Sequence, residues 1–357
     1  MFKQVLLLIT EMKFIFRLIL FSLFLIISSC GSYKYIPGNL ANRKINIPQQ
    51  VSVKENFWKI SESIDIFFQG IGKGKKVLIV QGGYLIPSVE IWDGLKDLES
   101  NFRFYYYHQR ACGNSTRPID KFKSKSFERN SKILVKNLGI EALVTDIEKI
   151  RRILGEEKIT LIGHSAGALI ATLYALEFPE NIDTLILVSP INIFSKAEYS
   201  YNFYNHVKET LPKTFHEEYD EYIHNLFNYK YLFFKNELLL NYLNTEFTKY
   251  FSTAILRNKS ELKFDKNLEI IGGWQTHALH LSLTPEMDLK KYFNKIKAST
   301  LIIYGENDVS PKEVALEFQK FIPNSILKII PNSGHYPFNE NPDAFLNVIR
   351  NFLKNNE

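Results

Sequence analysis

Three side chains of this sequence have the types and settings for nucleophilic chemistry. They are Ser165, Asp308 and His335, far apart in the chain but each close behind a short apolar run. Ser165 lies in Gly163-His164-Ser165-Ala166-Gly167, directly after the run 159–162 and before a helical pattern over 168–178. A serine hydroxyl is almost fully protonated at neutral pH and is a poor nucleophile alone. A tight strand-to-helix turn lifts Oγ clear of its surroundings and sets the backbone N–H of Ala166 beside a reacting carbonyl oxygen. The flanking glycines let neighbouring backbone pass closely, and the positive end of the helix favours a developing oxyanion.

Such a serine needs a base, and the base needs a group to orient it. The run 300–304 ends in Gly305-Glu306-Asn307-Asp308, and the run 326–330 ends in Pro331-Asn332-Ser333-Gly334-His335. Of the eight histidines, His335 alone follows a late apolar run in this way. His164 is expected to pack or hydrogen-bond within its turn, and His277 and His280 to be structural. Glu306 competes with Asp308, and the turn favours Asp308. An acid behind the preceding run, 184–188, is excluded because Ser189 leads into Pro190. A second oxyanion donor should come from the loop after the run 77–80, which reads Gln81-Gly82-Gly83-Tyr84. The Gly83 N–H is the first choice and Tyr84 the next; two such donors in a dry site each supply about a hundredfold or more of rate.

The elements that must position these groups alternate. Runs at 65–69, 77–80, 102–107, 159–162, 184–188, 300–304 and 326–330 are too short for helices, and several are apolar on both faces. Between them lie helical patterns. Leu143, Ile147 and Ile150 recur at helical spacing over 141–154, Gly155 ends that run, and 345–353 forms a last amphipathic helix. Alternating strands and helices argue for a mostly parallel sheet covered on both faces. The stretch 191–298 breaks the rhythm: it looks helical and holds 21 aromatics in 108 residues, against 14% for the whole chain. It is expected to be a helical cap inserted into a core of residues 51–190 and 299–357, over the carboxyl edge of the sheet.

The 357 residues, 45% hydrophobic and 23% charged, form an ordinary globular balance. The net charge of +6 is not gathered into a basic stripe, which argues against a nucleic-acid partner. Lys13 and Arg17 precede an apolar run over 18–27 that ends in Ser28-Ser29-Cys30. A charged start, a short apolar middle and small residues before a cysteine resemble a bacterial lipoprotein signal over residues 1–30, with Cys30 as the lipidated residue. Met12 is an alternative start. Residues 31–50 then read as a tether, and the mature chain is expected in the cell envelope, anchored to a membrane and facing outside the cytoplasm. Only Cys30 and Cys112 are present, so no disulfide framework is expected.

The loop Gln81-Gly82-Gly83, the segment His108-Gln109-Arg110-Ala111-Cys112-Gly113-Asn114-Ser115, the serine turn, Gly305-Glu306-Asn307-Asp308 and Ser333-Gly334-His335 together resemble the α/β-hydrolase superfamily. The likeness is nearest to its proline iminopeptidase-like branch, over residues 65–190 and 298–353. Gln81, Tyr84, His108 and Ala111 stand where that branch has His, Pro, Asp and Gly, and its serine turn is usually Gly-Gly-Ser-Trp-Gly. The resemblance implies the α/β-hydrolase fold and a Ser165–Asp308–His335 triad. Arg110 is expected to brace its loop. The expected chemistry is hydrolysis through an acyl-enzyme on small ester or related acyl substrates, with no metal or organic cofactor. Release of an N-terminal residue from short peptides is the alternative. It requires a cap acid for the substrate ammonium, with Glu198, Glu209, Glu217, Glu218, Asp220 and Glu221 as candidates. A third reading keeps the fold as a non-catalytic binding protein. Substrate identity and oligomeric state are not legible.

Overall fold

The computed structural model describes residues 35–50, 55–82, 91–191, 197–255, 272–283 and 288–354. The core opens with strands β1 (Phe57–Ser61), β2 (Ile64–Gly72), β3 (Lys75–Val80) and β4 (Phe102–Tyr107). Helices α1 (Phe127–Leu138) and α2 (Ile140–Ile153) follow, then β5 (Ile159–His164), α3 (Ala166–Glu177) and β6 (Ile182–Val188). After the cap segment come β7 (Ser299–Gly305), α8 (Lys312–Phe321), β8 (Ser325–Ile330), α9 (Pro337–Glu340) and α10 (Pro342–Lys354). The described residues of the cap segment are helical: α4 (Ala197–Thr210), α5 (His216–Leu226), a 3-10 helix (Tyr229–Phe234), α6 (Glu237–Ile255) and α7 (Gly273–Ser282).

The strands form one sheet in the order β1-β2-β4-β3-β5-β6-β7-β8. Pairings from β4 to β8 are parallel, while β1–β2 and β2–β4 are antiparallel. Val77, Leu78, Ile79 and Val80 are all fully buried, as strands covered on both faces require. Helices α2, α3 and α8 pack on one face, and α10 with the 3-10 helix Asp93–Leu98 on the other. The chain passes from β3 to β4 on one side, then returns to β5 on the other. Such a reversal marks the carboxyl ends of β3 and β5 as the place where open α/β sheets bind ligands.

Two elements differ from the sequence reading. β1 has no counterpart there: Trp58 and Ile60 point into the core between half-exposed neighbours, a pattern too short to stand out beside longer runs. β8 reads as a buried strand by sequence, yet Ile326 and Ile329 are exposed, because it is the last strand of the sheet.

The stretch expected as a tether is fastened from Tyr35 onward. Tyr35 and Leu40 are buried, and the Tyr35 hydroxyl donates to Glu177 at 2.7 Å. The Gly38 and Leu40 N–H groups donate to the same carboxylate at 2.9 Å each. One buried acid at the end of α3 thus satisfies three donors of a segment that has no secondary structure of its own. Cys30 and the rest of residues 1–34 lie outside the described residues. Among those described, no helix is long and apolar enough to cross a membrane.

Candidate active site

Ser165 is placed by the end of β5 and the start of α3. Its backbone is strained, with φ 55° and ψ −123°, a conformation that costs a non-glycine residue about 1–3 kcal/mol. Packing holds it there. The Ser165 N–H donates to the Val188 carbonyl at 3.0 Å, and the Ser165 carbonyl accepts from Ala168. A Cβ on Gly163 would lie 2.7 Å from Ala168 Cα, and one on Gly167 would lie 2.0 Å from the Val80 carbonyl oxygen. Both glycines of the turn are therefore sterically required. Ala166 is the first residue of α3, so its N–H has no acceptor within the helix.

The loop after β3 closes on the serine. A Cβ on Gly82 would come within 2.8 Å of Ser165 Cβ and 3.3 Å of its Oγ. Only a residue without a side chain fits at Gly82, so close does the loop lie to the serine; Gly83 and Tyr84, the expected oxyanion donors, lie outside the described residues.

Asp308 and His335 meet across the ends of β7 and β8. His335 Nδ1 and Asp308 Oδ1 are 2.8 Å apart, and both side chains are almost wholly shielded, at 1% and 0% exposure. Burial alone pushes the Asp308 carboxyl up, but the facing His335, its hydrogen bond and the Ser310 N–H, 2.8 Å from Oδ1, together hold it below the usual carboxylate range. Ser189 also faces Asp308, outside good hydrogen-bond geometry: Ser189 Oγ and Asp308 Oδ2 are both buried without a partner. Glu306 turns elsewhere and accepts the Asn332 N–H at 3.0 Å. The two loops touch, since a Cβ on Gly305 would lie 1.9 Å from the Gly334 carbonyl oxygen.

His164 supports His335, as its expected packing role required. Its Nε2 lies 2.8 Å from the His335 carbonyl oxygen, so it donates in the tautomer protonated there. Burial, then the neighbouring His335, lowers its pKa to about 3, which keeps the ring neutral. Arg110 braces its loop: Nε donates to Asp146 at 2.6 Å and Nη1 to the Asn137 carbonyl at 2.7 Å. His277 is wholly buried in α7 and held neutral, with its pKa lowered to about 3 by burial.

Two contributors escaped sequence reasoning. Glu340 of α9 accepts the Gly334 and Tyr336 N–H groups at 2.8 Å each and so clamps the His335 turn. Its spacing of six and four residues from those donors is a signal only once the turn is known. Phe251 of the cap helix α6 sets its ring edge against His335, with centroids 5.4 Å apart, and Phe203 and Phe247 back it at 6.0 and 5.7 Å. Aromatic enrichment located the segment but not the residue.

The candidate cap acids are not gathered at the site. Glu209, Glu217, Glu218, Asp220 and Glu221 are exposed. Asp220 pairs with Lys208, and Glu218 with Lys249 and Tyr250. The side chain of Glu198 is outside the described residues. Glu237, buried in the cap, is committed to Arg117 and to the Gly273 and Trp274 N–H groups at 2.8–2.9 Å.

Known proteins share this architecture. Residues 75–342 match the family model for the alpha/beta hydrolase fold. The proline iminopeptidase of Saccharolobus solfataricus is 26% identical, over 85% of this chain and 93% of that protein. The pimeloyl-[acyl-carrier protein] methyl ester esterase of Wigglesworthia glossinidia brevipalpis is also 26% identical, over 85% and 99%. Among solved structures, a thermophilic esterase from Thermogutta terrifontis superposes with a TM-score of 0.54 at 20% identity, over 82% of this chain and 94% of that one. A bromoperoxidase from Bacillus anthracis gives 0.57 at 20%, over 82% and 96%. With an eight-stranded, mostly parallel sheet and a family match over most of its length, this chain belongs to the alpha/beta hydrolase fold family and is a hydrolase of that family.

Proposed function

We propose that the protein is a serine hydrolase that cleaves small esters or related acyl compounds through an acyl-enzyme. The observation that carries this reading is the buried Asp308–His335 pair, 2.8 Å apart, beside the turn of a strained Ser165 whose neighbour His164 lies 2.8 Å from the His335 carbonyl oxygen. His335 Nε2 takes the Ser165 proton as Oγ attacks the acyl carbon. Asp308 holds the other ring nitrogen and stabilises the imidazolium that forms. The Ala166 N–H, with Gly83 of the facing loop, receives the oxyanion. His335 then protonates the leaving group and activates the water that frees the acid.

The apolar wall of Phe251, Phe247 and Phe203 favours an apolar acyl group. Aminopeptidase action on short peptides is the second reading, favoured by the relatives that are proline iminopeptidases. It needs an acid to hold the substrate ammonium, and the five cap candidates whose side chains are described all face solvent. Turnover of p-nitrophenyl esters beside prolyl-p-nitroanilide, with Ser165→Ala as control, separates the two. Ester turnover abolished in the variant supports the esterase; anilide turnover promotes the peptidase. Failure of a fluorophosphonate to label Ser165 would leave the non-catalytic binding protein.

Lipid attachment at Cys30, outside the cytoplasm, belongs to the same proposal and rests on the signal-like run before it. Metabolic labelling with an alkynyl fatty acid should mark the wild-type chain and not Cys30→Ser.

A further inference from the structure

At one edge of the cap, large apolar side chains face water. Tyr231 and Phe234 of the 3-10 helix are 51% and 76% exposed, and Leu238, Leu239 and Tyr242 of α6 are 65%, 45% and 52% exposed. Phe127, at the start of α1, is 43% exposed and packs on Phe233 at 5.2 Å, which extends the patch onto the core. Leu238 and Tyr242 are one helical turn apart, and the Tyr231 and Phe234 rings are 6.5 Å apart. Scattered apolar residues are normal on a surface, but a contiguous group of this kind marks an interaction site.

The rim decides the partner. The strip before α1 is held against the patch by a bridge from Lys121 to Asn236 and by the Glu237 N–H donating to the Asp120 carbonyl at 2.8 Å. Residues 119–129 and 228–242 bring the exposed Lys121, Lys123, Lys125, Arg129 and Lys230 to this edge, while Lys235 is half-buried toward His277. Against them stand Asp120 and Glu128 at the surface and Glu246 one turn beyond Tyr242, while Glu237 is buried against Arg117. Lysines are depleted from protein interfaces, whereas aromatic and leucyl side chains ringed by long cations suit the boundary of an anionic bilayer. There the apolar groups enter the acyl region while the cations reach the phosphates.

We propose that this edge of the cap docks on an anionic lipid surface, independently of any lipid on Cys30. Its occupant is the bilayer, not a second copy of the chain.

The test uses the full chain carrying Phe234→Trp, and vesicles of phosphatidylglycerol with brominated acyl chains. The native Trp58, Trp92 and Trp274 are at most 5% exposed and supply a shielded background. Insertion of the patch should shift the added fluorescence to the blue and quench roughly half of it. Leu316→Trp, on α8 outside the patch, should stay unquenched. Lys123→Glu with Lys125→Glu should weaken the binding reported from position 234 by about tenfold or more. Equal quenching at positions 234 and 316 would mean that only the chain's N-terminal part holds the vesicle, and would overturn the proposal. So would an unquenched position 234, or a blue shift there that grows with protein concentration in the absence of vesicles, which would mean self-association.

Discussion

Two helices beside the candidate site are built on opposite terms. Every residue of α3, which starts behind Ser165, is buried, and it is wedged between the sheet and α2. The cap helix α6 buries Leu240, Phe247 and Phe251 on one side and leaves Leu238 and Tyr242 in water on the other. A helix without a polar face cannot move without exposing apolar surface, at about 25 cal/mol per Å², and so it can hold a strained serine. A helix with one free face can tolerate substitution there and can meet another surface. The difference teaches that the strained serine turn is held by the core, while the cap keeps a face free of packing.

The largest effect expected from breaking this contrast is chemical. Ser165→Ala should lower ester kcat by about a thousandfold or more, with the melting temperature nearly unchanged. A variant that kept turnover would sink the triad. Next, Gly167→Ala puts a methyl 2.0 Å from the Val80 carbonyl oxygen, and backbone cannot yield as a side chain can. It should cost about 3 kcal/mol or more in urea denaturation, with activity falling alongside. Wild-type stability would mean that α3 is not wedged as described.

The buried histidines give a pH test. His108, His164 and His277 have pKa values lowered to about 4, about 3 and about 3, mainly by burial, from an ordinary 6.5. Their folded values lie below their unfolded values, so the unfolded chain binds more protons between those limits. Their contribution is complete above pH 6.5 and is lost as pH falls toward 4 and 3, at up to about 1.4 kcal/mol per pH unit for each ring. The unfolding free energy should show that slope, and His277→Leu should flatten it; an unchanged slope in that variant would show that His277 is protonated in the fold.

Phe251→Ala removes the ring against His335 and should cost about 3–5 kcal/mol of stability. It should also lower kcat/KM for long-chain esters more than for acetate; equal losses across chain lengths would remove the apolar wall from substrate recognition. Smallest of all, Phe234→Ser should leave both melting temperature and turnover of a soluble ester within error. A clear loss in either would show that the exposed edge belongs to the fold and not to a docking surface.

The core was legible because its signals are local. The runs 77–80, 102–107 and 159–162 each fall within the observed β3, β4 and β5, since buried parallel strands need continuous apolar residues. Ser165 was legible for a related reason: a strand, a glycine-flanked turn and a helix occupy consecutive residues. Asp308 and His335 followed from their places behind late strands, although their 2.8 Å contact joins residues 27 apart. The cap resisted, because helices that pack on one another and on α1 leave a broad aromatic pattern with many solutions. Nothing local singles out Phe251 from its neighbour Tyr250. The fastening of residues 35–40 to Glu177 was equally hidden, since it spans about 140 residues and uses backbone N–H groups, which carry no sequence signature.

What the sequence determined by itself is therefore the strands β2 to β8, the turn that presents Ser165 and the chain order of its partners, written in apolar runs and short-range glycine placement. Tertiary structure alone decided how Glu340 clamps the His335 turn, which cap ring closes over it and which cap face stays in water. Those depend on where distant surfaces come to rest, and packing selects among many arrangements that the same pattern of apolar residues allows.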